Sequence, residues 1–186
     1  MDKTAQTELR RSFLIERLPE PLTSASSHIQ LFDNYIPNTR LRLRRIRDPY
    51  TNAWTYILQQ RFAMSEDARS VSKLSEIYLN ETEYAVLERF EGHEIRKNRY
   101  FHEFDRLAFA FDLYLGRLWG LHTATVEFAS IKDMDEFEPP PFAIYEITAG
   151  AFFDGQNLVD KSFEEIRQEV SRLSPLHRDQ FEVAAE

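Results

Sequence analysis

The arginines of this chain are bunched. Arg10, Arg11 and Arg17 lie near the start, and Arg40, Arg42, Arg44, Arg45 and Arg47 fall within one short segment. In an extended strand successive side chains face opposite ways, so Arg40, Arg42 and Arg44 share one face while Leu41, Leu43 and Arg45 share the other. Lys97 and Arg99 repeat the pattern, with Ile95 on their face and Tyr100 opposite. Glu127 stands between Val126 and Phe128, and Glu146 between Tyr145 and Ile147, so each projects as a lone carboxylate opposite its apolar neighbours. Rows of guanidinium and ammonium groups suit phosphate oxygens, and nearby carboxylates suit divalent cations that bridge to a phosphate chain. Two arrangements satisfy this spacing. Either the charged faces point to water, as one face of an antiparallel sheet usually does, or the strands close into a barrel with an apolar exterior under helices. In the second case the charges lie inside and must be paired or bind an ion.

Short strands separated by turn signals have to position these groups. Ser12 to Leu18, His28 to Tyr35, Thr39 to Ile46, Ala53 to Phe62 and Val71 to Leu79 read as strands, with a turn-rich segment, Asp48 to Asn52, joining the third to the fourth. Ile95 to Phe101, Leu107 to Tyr114, His122 to Ala129 and Ile144 to Thr148 continue the series. Such a succession favours an antiparallel barrel or sandwich over a parallel sheet. Helices interrupt it. Asn80 with Glu83 forms a cap pattern for a helix running to Glu91 before Gly92, Ser130 opens a short acidic helix ending near Phe137, and Ser162 with Glu165 precedes an amphipathic helix through Leu173 carrying Phe163, Ile166 and Val170.

Length and composition bound the rest. The 186 residues suit one domain able to bury a core without a metal or disulfide, with a core over 8–173 and a loosely held tail over 174–186. The absence of cysteine excludes a disulfide scaffold, a thiolate metal site and a cysteine nucleophile, and fits a cytoplasmic location. We expect a soluble chain, with no signal peptide or membrane span. A balance of 23 Lys+Arg against 31 Asp+Glu, net charge -8, argues against a nucleic-acid polymer as partner, while the local clusters argue for a defined anion site. The five histidines are scattered without metal-ligand spacing, and no phosphate-cradling glycine loop, nucleophile elbow or HExxH pattern occurs.

Several stretches, taken in order, resemble the CYTH superfamily, the triphosphate tunnel metalloenzymes. E-L-R-R-S-F-L-I from Glu8 to Ile15 resembles the family's opening E-x-E-x-K-F-L-V; R-L-R-L-R from Arg40 to Arg44 resembles its paired-arginine strand; K-N-R-Y from Lys97 to Tyr100 resembles its K-x-R-Y. F-D-L-Y-L-G-R-L-W-G-L from Phe111 to Leu121, V-E-F from Val126 to Phe128, P-P-P-F and Y-E-I-T ending at Thr148 resemble the remainder of the pattern. The resemblance implies an α+β, mainly antiparallel fold: an eight-stranded closed tunnel with helices packed outside. Arg42, Arg44, Lys97 and Arg99 would bind phosphate oxygens, with Arg10 as a further cation. Glu8, Asp112, Glu127 and Glu146 would hold Mg²⁺ or Mn²⁺, and Glu76 and Arg40 would stand on the tunnel wall.

The implied chemistry is hydrolysis of tripolyphosphate or an organic triphosphate, with adenylate cyclase activity or a non-catalytic phosphate- or nucleotide-binding module as alternatives. The partner is a polyanionic small molecule rather than a membrane, and a homodimer is compatible with the pattern. The departures from the family bear on the metal. Arg10 replaces an acid, Ser12 and Gln59 replace lysines, and Ala110 and Thr125 stand where further carboxylates are expected. A hard divalent ion wants several anionic oxygens and is disfavoured by a nearby cation.

Overall fold

Strands that are charged on one face and apolar on the other have two surfaces to satisfy, and curling the sheet into a tube separates them. The computed structural model describes residues 5–64, 70–90 and 92–173. Its strands are β1 (Gln6–Leu14), β2 (His28–Tyr35), β3 (Leu41–Arg47), β4 (Trp54–Ala63), β5 (Val71–Leu79), β6 (His93–Phe104), β7 (Leu107–Leu115), β8 (His122–Phe128) and the short β9 (Tyr145–Glu146). The neighbour order is β5-β4-β3-β2-β6-β7-β8-β1, and β1 also pairs with β5, so eight antiparallel strands close on themselves. Closure removes the exposed edges that an open sheet would carry. At the closing seam β5 pairs with Gln6–Leu9, and β9 pairs with Phe13 and Leu14 further along the same edge. Between them the Ser12 N–H donates to the Thr148 hydroxyl at 2.9 Å.

The hairpins follow from local chemistry. Asp48 accepts the amides of Tyr50 and Thr51 at 2.8 and 3.3 Å, and Asn52 takes a left-handed φ of 59°, which turns β3 into β4. β6 and β7 are joined by Asp105 and Arg106, both with positive φ, the geometry whose twist matches that of paired strands. Helix α1 (Glu81–Leu87) starts at Asn80 with the expected capping box to Glu83. Helices α2 (Ile131–Asp135), α3 (Gly155–Leu158) and α4 (Phe163–Leu173) follow, and Ser162 and Glu165 exchange amide bonds ahead of α4 at 3.3 and 2.9 Å.

Two apolar clusters hold the tube. Outside it, Phe13, Tyr100, Phe109, Phe111, Ala124 and Val126 pack with Phe137 and Phe142 from the segment after α2. Each fully buried aromatic there contributes about 1.5–3 kcal/mol. At one end of the bore, inward-facing Leu14, Ile95 and Tyr114 meet Leu158 of α3 and Ile166 and Val170 of α4, which stop that end with hydrocarbon.

The expected elements are present with shifted limits. β2 and β5 match their predicted ranges, whereas the first strand begins six residues before the predicted Ser12 and ends at Leu14 instead of Leu18. Its first half alternates among polar side chains, so an apolar run is a poor guide to where it starts. β9 is limited to Tyr145–Glu146, α1 stops at Leu87, α2 stops at Asp135, and α3 was not expected at all. Residues 174–186 and Glu91 lie outside the described residues.

Candidate anion-binding tunnel

A cavity of about 500 Å³ runs inside the barrel. Arg10 and Glu8 reach it from β1, Arg42 and Arg44 from β3, Glu76 from β5, Lys97 and Arg99 from β6, Asp112 from β7 and Glu127 from β8. The alternation read from the sequence thus brings charged residues from distant stretches into one channel, and the charged faces do not point outward. Arg45, of opposite parity to Arg44, lies outside against Phe32 and Trp54, with its guanidinium 4.9 and 5.8 Å from the ring centres.

Cross-strand register dictates who meets whom. Asp33 is opposite both Arg44 and Ile95, Arg42 is opposite Gln59, Gln59 is opposite Glu76, and Arg99 is opposite Asp112. Arg44 forks onto Asp33 with bonds of 2.5 and 2.7 Å, and Arg42 reaches the same carboxylate at 3.4 Å and the Tyr35 hydroxyl at 3.0 Å. Arg42 also donates to Gln59, whose amide donates onward to Glu76. Across the bore, Arg99 forks onto Asp112 at 2.6 and 2.7 Å and the Lys97 ammonium adds a bond of 2.6 Å.

These clusters titrate as units. Burial disfavours the charge of Asp33, but Arg42 and Arg44 outweigh it and hold the carboxyl far below the usual range; Arg99 and Lys97 do the same for Asp112. Burial also opposes the charge of Arg42 and Arg99, yet Asp33 and Asp112 keep both guanidiniums firmly protonated. Lys97 is drawn down to about 8 because burial prevails over the pull of Asp112.

One corner brings two arginines close together. Arg61 of β4 is bonded to Glu8 at 2.7 Å and to the Ser72 hydroxyl at 3.2 Å. Burial, reinforced by the neighbouring Arg10, pushes it down to about 9. Arg10 is likewise lowered by burial, and its guanidinium makes no hydrogen bond or ion pair among the described residues. Glu127, opposite Arg10 in register, is similarly without one.

Two predicted site residues sit elsewhere. Glu146 does not face the bore: it pairs with Phe13, whose side chain lies in the outer cluster, and it receives bonds of 2.9 and 2.5 Å from Arg11 on the outside. Arg40 precedes β3 and does not line the main cavity; it stacks on Phe62 at 4.2 Å beside a smaller adjoining one. Conversely, Asp33, Arg61 and Tyr35 belong to the site and were not expected. Their signal was parity: Asp33 and Tyr35 alternate along β2, and Arg61 stands two residues from Gln59.

The four carboxylates expected to hold Mg²⁺ or Mn²⁺ do not converge. Asp112 is neutralised by two cations, Glu8 is engaged by Arg61, and Glu146 is outside the tunnel. Among the described residues, no three Asp, Glu or His side chains gather into a cation site. This donor set does not fit a metal cage built by the chain, and the departures at Arg10, Ala110 and Thr125 give the reason: where anionic oxygen was expected, the wall carries a cation, a methyl and a hydroxyl.

No family model matches the sequence, and no curated protein is significantly similar to it. Solved structures are. Two crystal structures of the protein NE1496, one describing it as an inorganic triphosphatase and the other as a hypothetical protein, align at 23% and 24% identity with a TM-score of 0.57. They span 83% of this chain and 95% and 99% of theirs. An adenylyl cyclase candidate from Hippeastrum, described as having a dominant triphosphatase activity, aligns at 13% identity over 69% of this chain and 82% of its own, with a TM-score of 0.41 too low to carry weight. Strand order, closure and the likeness to NE1496 together establish the fold, the eight-stranded closed antiparallel barrel with helices that the resemblance implied.

Proposed function

We propose that the chain binds a linear triphosphate in its tunnel and hydrolyses a terminal phosphoanhydride bond. The observation that carries this reading is the convergence of Arg10, Arg42, Arg44, Lys97 and Arg99 on one channel, where burial outweighs the pull of Glu8 and Asp154 on Arg10. Guanidinium forks already oriented by Asp33 and Asp112 lose little freedom when they grip phosphate, which favours binding and positions the chain for in-line attack. Water attacks the terminal phosphorus, the bridging P–O bond breaks, and the shortened polyphosphate leaves with the electron pair. Glu127, a carboxylate of the bore with no ion pair among the described residues, orients that water and takes its proton. The fold shared with an inorganic triphosphatase supports the substrate class. A divalent ion enters on this reading with the substrate, whose own oxygens supply ligands the chain does not gather.

A second reading, a binding module without catalysis, is favoured by the engagement of Asp33, Asp112 and Glu8 with cations. One set of experiments separates the two. Protein incubated with tripolyphosphate, ATP or thiamine triphosphate plus Mg²⁺ or Mn²⁺ should release phosphate, and Glu127→Gln should abolish release while calorimetric binding of tripolyphosphate persists. Binding without release in the unaltered protein selects the module. Appearance of cyclic AMP from ATP would mark a cyclase instead, and failure to bind any of these anions would sink every version.

A further inference from the structure

Beside the tunnel, and sharing Arg10, Arg42, Arg61 and Tyr35 with it, lies a second cavity of about 230 Å³. Arg40, Phe62 and Gln156 line it and not the tunnel. Gln156 donates to the Thr39 carbonyl at 2.5 Å, which ties the start of α3 to the loop bearing Arg40. The Arg40 guanidinium carbon sits over the Phe62 ring, 4.2 Å from its centre, and no ion pair of Arg40 occurs among the described residues. Stacking occupies the face of a guanidinium and leaves its in-plane N–H donors available. Asp154 is the one carboxylate lining this cavity among the described residues, against four arginines.

We infer that this annex is an anion subsite continuous with the tunnel, built by Arg40 with Arg10 and Arg61, and that it accepts the outer units of a linear polyphosphate longer than a triphosphate. The inference rests on the binding reading above and extends it to substrate length. Path and charge both support it. The two cavities share Arg10, Tyr35, Arg42, Arg61 and Gly155 in their linings, so a chain gripped by Arg42 in the tunnel lies against residues that also line the annex, where Arg40 joins them. Charge there also favours an anion: burial depresses Arg10 and Arg61, Arg10 adds to the penalty on Arg61, and the pull of Glu8 on both and of Asp154 on Arg10 does not outweigh burial, a cost that an anion between them lowers. A neutral or cationic group in the annex would leave that repulsion in place. The aromatic rings lining the annex, Phe62 and Tyr35, each already carry a guanidinium, that of Arg40 and that of Arg42, which leaves a nucleoside poorly served.

The test is a length series by calorimetry, without added divalent ion, using tripolyphosphate, tetrapolyphosphate and a medium-chain linear polyphosphate on the full chain. Affinity should rise with length in the unaltered protein. Arg40→Ala, a change at an exposed side chain, should weaken the medium-chain ligand about tenfold, the worth of one charge-assisted contact, and leave tripolyphosphate unchanged. Arg40→Lys should recover part of the loss. Longer chains offer more binding registers and gain on that account alone, so the decisive quantity is the length preference lost in Arg40→Ala. Equal affinity for short and long chains, or a preference that Arg40→Ala leaves intact, overturns the annex while tripolyphosphate binding still stands. Loss of all binding in the unaltered protein overturns the tunnel reading as well.

Discussion

Asp33 and Asp112 each divide one negative charge between two cations, so much of the tunnel's positive charge is already balanced and directed before any anion arrives. Removing one of these acids should therefore have two opposite effects. Asp112→Asn leaves Lys97 and Arg99 buried without a counterion and should destabilise the fold by about 3–5 kcal/mol. The same change frees two cations for ligand, so tripolyphosphate affinity should rise and added tripolyphosphate should raise the thermal midpoint more than it does in the unaltered protein. Differential scanning calorimetry with and without the anion reads both effects. An unchanged midpoint would mean the pair is not buried as described.

Lys97 and the aspartates set the response to pH. The folded value of Lys97, about 8, lies below its ordinary 10.5, so between those values the unfolded chain holds more protons and stability from this group rises with pH. Ligand affinity moves the other way, because the ammonium that faces the anion is lost. Calorimetry on either side of about 8 should show weaker tripolyphosphate binding on the alkaline side. Asp33 and Asp112 have folded values below their ordinary 3.8, so their stabilisation is present above that value and is lost as the pH falls through and beyond it.

Among the elements, α3 and α4 determine how the tunnel ends. A Cβ built at Gly155 would overlap the Tyr35 hydroxyl, the group that accepts from Arg42 at 3.0 Å, so glycine is needed where α3 begins. Gly155→Ala should displace Tyr35, cost about 1–3 kcal/mol as overpacking does, and weaken tripolyphosphate binding; chemical denaturation and calorimetry on the same sample test both. Ile166 of α4 lies in the hydrocarbon layer that stops the bore, and Ile166→Ala should cost about 2–5 kcal/mol by opening a cavity there. The capping residues of α1 and α4 were legible because a cap depends on residues three apart in sequence. The start of β1 was not. Apart from Leu9, Gln6 to Ser12 is polar on both faces, and an apolar-run criterion passes over such a segment.

For the molecule as a whole, net charge is -8, so the arginines and Lys97 of the channel form a local cationic site, interleaved with carboxylates, inside an acidic protein. Raising ionic strength should weaken tripolyphosphate binding, whose contacts are electrostatic and open to solvent at the mouth, yet leave the unfolding midpoint nearly unmoved, because the Arg44–Asp33 pair is buried and weakly screened. Titrations and thermal melts across a salt series compare the two. A binding constant indifferent to salt would contradict a charge-built site.

Side-chain alternation is a local property, and from it the sequence by itself determined which residues share a face: Arg42 with Arg44, Lys97 with Arg99, and Glu127 opposite its apolar flanks. Turn and cap chemistry, equally local, located the β3–β4 hairpin and the helices α1, α2 and α4. Whether those faces looked inward, and which acid met which base, were decided by tertiary structure, since both depend on strand order, register and closure between segments far apart in the chain. Asp33 gained Arg44 through β2–β3 pairing, Glu8 gained Arg61 through closure of β1 on β5, and Glu146 turned outward because β9 pairs in register with Phe13. A carboxylate's parity is encoded beside it, whereas its partner is encoded only by the strand that comes to lie next to it.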